Sequence, residues 1–499
     1  MTLYKGRRKI VTEYKPEDMM NKTKLAKLLN VAFPIHLQNK QEIDYLVNYR
    51  NGDQPILSKT KDVRPEINNI LVINHAQMIT RSIVGYFLGT PIQYIQSGAD
   101  GKEEIDKLNK FISYEDKSSV DKEIGEYQSV CGTGYRIIFT DGLFADEIPF
   151  EDRSLNPATT FVVYENNIAE RPVVGITYYS IYDDKGTAIG MKIFAYTAFG
   201  VWEINTSSIM GNIAKNDKLI WSPYDVGGVP IIEYPNNMWR IGDWELCLTL
   251  MDAINDMNSG RLDDIDQIVQ SLLVFINADI DATKFEEMRV AGAISLKNTS
   301  TNHADAKSIT NALDQSGMNL FAKELESYLY SMIGIPDRES RGGSGGGDTG
   351  MAVELRDGWA DLETVARNKE LVYKRSEKQA LRIMLKILEN KMGFTLSLLN
   401  VEIKFSRNKN NNLLVKTQSY ATLIATKTLS PADCLIVVDL VSDVNEFMAR
   451  GELFWGDSFA GKVQAEIAVE TSKVSLETAK NPTKEITVEK EKNKQLKDI

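Results

Sequence analysis

Gly342-Gly343-Ser344-Gly345-Gly346 fits G-x-S-x-G, the sharp turn on which a hydrolase exposes a nucleophilic serine. That turn needs a strand leading into it and a histidine partner. Here Pro336-Asp337-Arg338 comes before it, and His36, His75 and His303 are the only histidines in the chain. The overlapping Gly345-Gly346-Gly347-Asp348-Thr349-Gly350 fits G-x-G-x-x-G, but no strand or βαβ unit surrounds it, so a dinucleotide site fails its context. Gly456-Asp457-Ser458-Phe459-Ala460-Gly461-Lys462-Val463 approaches a phosphate-binding loop. It places valine where a hydroxyl must reach Mg²⁺. There is no C-x-x-C, and Asn277–Asp281 lacks the glycine and closing glutamate of a calcium loop. Neither a catalytic constellation nor a cofactor is expected, and the chain does not read as an enzyme. Asp252, Asp256, Asp263, Asp264 and Asp266 form the remaining group, an acidic helical face that reads as solvated surface unless several copies bring it together around a channel.

The elements around these residues are unusual. Six of the nine residues from Gly342 to Gly350 are glycine, a composition that packs no core and costs much entropy to order. A helical pattern without proline follows, from Met351 to Glu389. Its apolar residues fall at Met351, Leu355, Trp359, Leu362, Val365 or Ala366, Leu371, Val372, Leu381, Leu385 and Leu388. At 1.5 Å per residue this predicts roughly 60 Å of helix, far beyond the usual length. A second long helix is predicted from Trp244 to about Gln270, capped by Asp243, with Cys247, Leu250 or Met251, Ile254, Met257, Ile265, Ile268 and Leu272 as its apolar stripe. Between the two lie a small insertion (strand Leu272–Ile276, helix Ala282–Met288, strand Ala293–Leu296) and a returning helix, Ala312–Met332.

Upstream, two short helices are read at Asp18–Asn30 and Lys40–Tyr49, separated by Phe33-Pro34. An amphipathic helix is read from Pro65 to Phe87, stopped by Gly89-Thr90-Pro91. A strand at Ile92–Gln96 and helices at Glu103–Ser113 and Ser118–Val130 precede a strand at Tyr135–Thr140. Between Phe144 and Trp221 the period changes to two. Phe161–Tyr164, Val173–Tyr182, Met191–Tyr196 and Val201–Ile204 read as an antiparallel meander with a hairpin turn at Asp184-Lys185-Gly186. After the long helix come a strand at Val401–Phe405, helices at Leu413–Thr426, Pro431–Val437 and Ser442–Arg450, and a solvated tail from Gly461.

Composition narrows the class. The chain is 43% hydrophobic and 25% charged, as in a folded globular protein, and has no run of eighteen apolar residues. Basic residues near the N-terminus have no apolar segment behind them, so no secretory signal is expected. Three scattered cysteines point to a reducing compartment without a disulfide framework. A net charge of −11 argues against tight nucleic-acid binding, but not against touching DNA without adhering to it.

Two blocks carry a family resemblance. Asn68-Asn69 followed by Ile83-Val84-Gly85-Tyr86-Phe87-Leu88-Gly89-Thr90-Pro91-Ile92 is similar to the "NN…IV…YxxGxPI" block of bacteriophage portal proteins of long-tailed double-stranded-DNA phages. Ile333-Gly334-Ile335-Pro336-Asp337, then a Gly/Ser loop and an amphipathic helix, resembles their second block. Thr349-Gly350-Met351-Ala352 departs conservatively there from Ser-Gly-x-Ala. With the order of elements, the resemblance covers about residues 20–460.

The resemblance implies an α+β subunit with wing, long-helix stem, small α/β clip and helical crown, assembling into a ring. Residues 1–235 would be wing, 236–271 and 312–337 the two stem helices, and 272–311 the clip. Residues 338–350 would be the tunnel loop, 351–392 the long connecting helix, 393–460 the crown and 461–499 the tail. It further implies a dodecameric ring at one capsid vertex through which double-stranded DNA enters and leaves. The ring would dock the terminase large subunit and later a head–tail adaptor, and meet scaffold and major capsid protein, with no membrane partner. It would form in the host cytoplasm and end in the virion. The DNA-facing loop would be Arg338, Arg341, Gly342, Gly343, Ser344, Gly345, Gly346, Gly347 and Asp348. Arg338 and Arg341 are read either as transient phosphate contacts or as salt-bridge partners of neighbouring acids. Asp252, Asp256, Asp263 and Asp266 would be an acidic stem face that repels phosphates. Phe275, Asp279, Asp281, Lys284 and Glu287 would lie in the motor-contacting clip. The competing classes are a nucleotide-binding enzyme and a capsid assembly scaffold whose ring never admits DNA.

Overall fold

The computed structural model describes residues 6–269 apart from 63, 98–101, 141–147, 209–210, 212 and 215–216. Beyond these it describes 272–276, 283, 305–309, 315–336, 359–407, 413–426, 429–438, 440, 447–448 and 450–451. The chain mixes helix and sheet, as expected. Helix α1 (Lys22–Arg50) does not break at Pro34 but runs through it as one helix, correcting the two-helix reading. Pro34 itself is exposed, while Leu25, Leu28, Leu29, Ala32 and Phe33 before it and Ile43, Leu46 and Tyr49 after it are buried. Burial of both halves offsets the cost of about 3 kcal/mol that an interior proline imposes.

Those two halves serve different cores. The first packs on a six-stranded sheet made of β1 (Ile10–Thr12), β5 (Thr160–Glu165), β6 (Pro172–Tyr182), β7 (Ala188–Tyr196), β8 (Gly200–Thr206) and β9 (Lys218–Pro223). Strand order is β1-β5-β6-β7-β8-β9, with β1 parallel to β5 and every other pair antiparallel. This is the expected meander, with β1 and β9 added at its edges. The second half enters a larger helical core with α2 (His75–Phe87), α3 (Lys102–Tyr114), α4 (Lys117–Cys131) and the long helices. Strand β2 (Gln93–Gln96) lies between α2 and α3. A three-stranded sheet, β10 (Ile231–Pro235), β3 (Thr133–Phe139) and β4 (Glu151–Leu155), joins the two cores.

Helix α2 begins at His75, not at Pro65. Asn74 caps it, its side chain accepting from the Gln77 amide. The long elements are α5 (Leu248–Val269), α6 (Gln315–Ile333) and α7 (Trp359–Met392), with α5 preceded by a short 3-10 turn at Glu245–Cys247. Between α5 and α6, β11 (Leu272–Ile276) pairs antiparallel with β12 (Asp305–Ile309), a strand that local pattern did not reveal. The helix expected at Ala282–Met288, the strand at Ala293–Leu296 and the first turns of the long helix, Met351–Gly358, lie outside the described residues, bar a helical residue at 283. So does the tail from Gly461. Strand β13 (Val401–Lys404) pairs antiparallel with β2, tying the chain after α7 back to its N-terminal third. Helices α8 (Leu413–Ala425) and α9 (Pro431–Val438) follow where expected. The helix read at Ser442–Arg450 is described only at 447, 448 and 450, all helical.

Candidate functional site

Much of the chemistry-bearing sequence falls outside the described residues. That holds for Arg338, Arg341, Gly342, Gly343, Ser344, Gly345, Gly346, Gly347 and Asp348, for Asp279, Asp281, Lys284 and Glu287, and for Gly456–Val463. Phe275 sits on β11 in register with Ala306. Of the two described histidines, His36 is stacked on Phe161 at 4.4 Å, and its Nε2 lies 3.2 Å from the Ala158 carbonyl and 3.1 Å from the Tyr178 hydroxyl. Burial pushes it down to about 4, so it is a neutral core residue at physiological pH. The described cysteines are free and buried. Among the described residues no cluster of His, Cys, Asp or Glu could hold a metal, and no helix is long and apolar enough to cross a membrane.

The aspartates of α5 do not form one solvated face, which corrects the sequence reading. Asp256 and Asp266 are exposed. Asp252 is half-buried and accepts a hydrogen bond from the Tyr49 hydroxyl at 2.9 Å. Asp263 is buried, between Lys59 (2.8 Å) and Lys61 (3.0 Å). In exchange Ile265, placed on the predicted apolar stripe, turns outward beside Leu262.

The reason is an extended strap, residues 69–73, lying along α5. The Asn69 amide donates to Asp263 Oδ1 (2.6 Å), the Leu71 amide to Ser259 Oγ (3.0 Å) and the Ile73 amide to Asn255 Oδ1 (2.9 Å). Two residues of extended chain advance roughly 6.6 Å and four residues of helix roughly 6 Å, so alternate amides meet every fourth side chain. Asn69 Nδ2 also donates to Asp263 (3.1 Å) and Asp266 (2.7 Å), and Asn68 Nδ2 to the Lys59 carbonyl (2.9 Å). The Asn68-Asn69 pair is thus the clasp of the strap. Sequence reading missed Asn255 and Ser259; the signal was present as small polar residues at four-residue spacing beside the apolar stripe.

Helix α7 is seated by a second polar device. Its midsection buries Lys369, Tyr373, Ser376 and Glu377, whereas Leu371, placed on the predicted stripe, is 71% exposed. Glu377 Oε1 accepts from the Tyr94 hydroxyl (2.6 Å) and lies 3.1 Å from Lys117 Nζ; its Oε2 accepts from the Tyr234 hydroxyl (2.9 Å). Lys117 also meets both oxygens of Asp121 at 2.8 Å. Arg136 bridges Asp121 and Asp152 (3.0 Å to the latter), with its guanidinium 5.0 Å from the Tyr234 ring centroid. The Tyr373 hydroxyl closes the network on Asp121 at 2.9 Å. Two cations and three carboxylates, none more than 3% exposed, therefore join α4, β3, β4 and α7. A lone arginine inside Gly-Tyr-Arg-Ile-Ile-Phe was the sequence signal.

The network holds one more acid than base, and its protonation reflects that. Burial raises Glu377, but Lys117, Arg136 and the two tyrosine hydroxyls outweigh it and hold the carboxyl below its usual range. Burial pushes Asp152 up to about 6 against the pull of Arg136 and Lys117. Asp152 then holds more of its proton in the folded chain than in the unfolded one between about pH 4 and 6, so this group's contribution to stability falls as pH rises through that window. Asp152→Asn should flatten that part of the stability–pH curve. Urea unfolding at pH 5 and pH 7 checks this; an unchanged difference between the two rules Asp152 out as its source.

Strap and network seat the long helices α5 and α7 through buried polar contacts. Comparison with solved structures finds a chain from the neck of an empty GTA particle computed with C6 symmetry (TM-score 0.41, 13% identity, covering 74% of this chain and 90% of that one). It also finds a chain from the virion of a native gene transfer agent particle (TM-score 0.41, 13% identity, covering 81% and 94%). No curated protein matches. Scores and identities at this level leave the family model as the finding that assigns the chain. The model of phage portal proteins of the SPP1 Gp6-like type matches residues 29–452, and the chain belongs to that family.

Proposed function

We propose that copies of this chain close into a dodecameric ring at one vertex of a phage capsid, and that its axial channel passes double-stranded DNA during packaging and ejection. The family match over residues 29–452 carries this reading. In it, residues 1–235 form the wing, α5 and α6 the stem, 272–311 the clip, 338–350 the tunnel loop and 393–460 the crown. The clip, including Phe275, Asp279, Asp281, Lys284 and Glu287, would meet the terminase large subunit and later the head–tail adaptor. Scaffold and major capsid protein would surround the wing. A ring multiplies each exposed charge by its copy number, so Asp256 and Asp266 suffice for a phosphate-repelling lining even with Asp252 and Asp263 used internally.

End-on cryo-electron microscopy of the purified chain tests the reading. A closed ring with an open axis wide enough for a duplex is expected. A ring with an obstructed axis would favour a scaffold, and monomers that persist with the capsid proteins present would overturn the ring. Arg341→Glu should then lower the DNA packaged per particle while rings form normally. Unchanged packaging removes Arg341 from DNA contact.

A further inference from the structure

Helix α6 leaves a row of apolar side chains in the open. Phe321, Tyr328 and Met332, each more than half exposed, stand at i, i+7 and i+11 on one face. The other side of the helix is occupied. Glu326 Oε1 lies 3.9 Å from His75 Nε2, and the Tyr330 ring meets the His75 ring edge-on with centroids 6.1 Å apart. At 3.6 residues per turn, the exposed row lies roughly 140–180° around the axis from the mean direction of Glu326 and Tyr330. His75 begins α2 immediately beyond the strap, so the row faces away from the strap.

The strap carries an exposed apolar patch of its own. Ile70 and Leu71 are exposed, as is Leu262, roughly 60° around α5 from the Ser259 that binds the Leu71 amide. Row and patch therefore occupy opposite flanks of α5 and α6, which pack against each other. They are also level. Helix α5 leads into β11 and β12 leads back into α6, and the two strands pair antiparallel, so the helices run in opposite directions. Toward these strands, Phe321 lies about 10 Å of helix beyond the His75 contact, and Leu71 about 13 Å of extended chain beyond His75. With the stem along its axis, a ring joins different patches at one height on opposite flanks of each copy, because rotation leaves height unchanged. We propose that Phe321 of one copy seats on Ile70, Leu71 and Leu262 of the next, with Tyr328 and Met332 extending the contact along the stem. This rests on the ring reading and names its stem contact. The exposed parts of these six side chains come to roughly 600 Å², an apolar centre for a standard interface of about 1,600 Å².

Chains carrying both Phe321→Cys and Leu71→Cys test the contact under mild oxidation. The two sites lie on opposite flanks, so a disulfide forms only between copies, and head-to-tail bonds are expected to give a ladder of covalent multimers up to the ring. Neither single variant should give it. Phe321→Ala, with wild-type circular dichroism, should need at least tenfold more protein to close rings by native mass spectrometry. If wild-type rings form but the double variant gives no ladder, or Phe321→Ala closes rings at the same concentration, the stem contact falls and the ring reading stands. A ladder that stops at the dimer would mean a two-fold contact and overturn the assignment. If the wild type forms no ring even with its capsid proteins, the ring reading falls first and this contact with it.

Discussion

Arg136→Met will cost the chain about 3–5 kcal/mol of stability, the penalty for breaking a buried ion network by removing one partner. Arg136 is wholly buried and, among the described residues, is the only group that touches both Asp121 and Asp152. Without it, three carboxylates face Lys117 alone, and Asp152 has no remaining cation within bonding distance. Methionine fills most of the volume, so the loss reads charge and hydrogen bonding more than a cavity. Arg136→Lys should recover only part, since one ammonium cannot reproduce a two-pronged donor. Denaturant unfolding followed by tryptophan fluorescence measures both variants. A loss below about 1 kcal/mol for Arg136→Met would mean that apolar packing, not the network, seats α7.

Asp263→Ala is expected to cost about 2–3 kcal/mol, the range for hydrogen bonds to a charged acceptor, with the half-buried Asn69 amide left without its partner. Asp263 accepts from Lys59, Lys61, the Asn69 amide and the Asn69 side chain. Burial pushes its carboxyl up, but the donors from Lys59, Asn69 and Lys61 prevail and hold it well below the usual carboxylate range. The sign follows. The folded carboxylate binds fewer protons than the unfolded one, so its contribution is complete above about pH 4 and is lost as acid reaches the folded value. Asp263→Asn keeps an acceptor for the Asn69 amide and should cost about 1 kcal/mol. Hydrogen exchange at Asn69, Leu71 and Ile73 gives the local readout. Protection of these amides that survives Asp263→Ala would show that Ser259 and Asn255 hold the strap without it.

Where sequence reading failed, the cause was a partner distant in the chain. The helix predicted from Pro65 is helical only from His75, because α5 supplies acceptors that hold residues 69–73 extended, and helix propensity is a weak prior against three such bonds. Leu371 fits a helical stripe that α7 does not bury, because the neighbouring core surface offers Tyr94, Tyr234 and Lys117 to Glu377 in place of apolar contacts. The candidate site was legible only in part: the acidic residues of α5 were found, but the use of Asp252 and Asp263 in internal hydrogen bonds was not.

The sequence by itself determined the meander, the long helices and, through two short blocks, the portal family that the family model then assigned. These are local properties, set by side-chain period, turn residues and contiguous motifs. Only the tertiary structure decided that α1 continues through Pro34, that β13 returns to β2, and that Asn69 clasps Asp263 while Glu377 meets Lys117. Each depends on residues tens to hundreds of positions apart, whose pairing is fixed by the free energy of burying polar groups with partners, and a local pattern can mark such a residue but not name its partner.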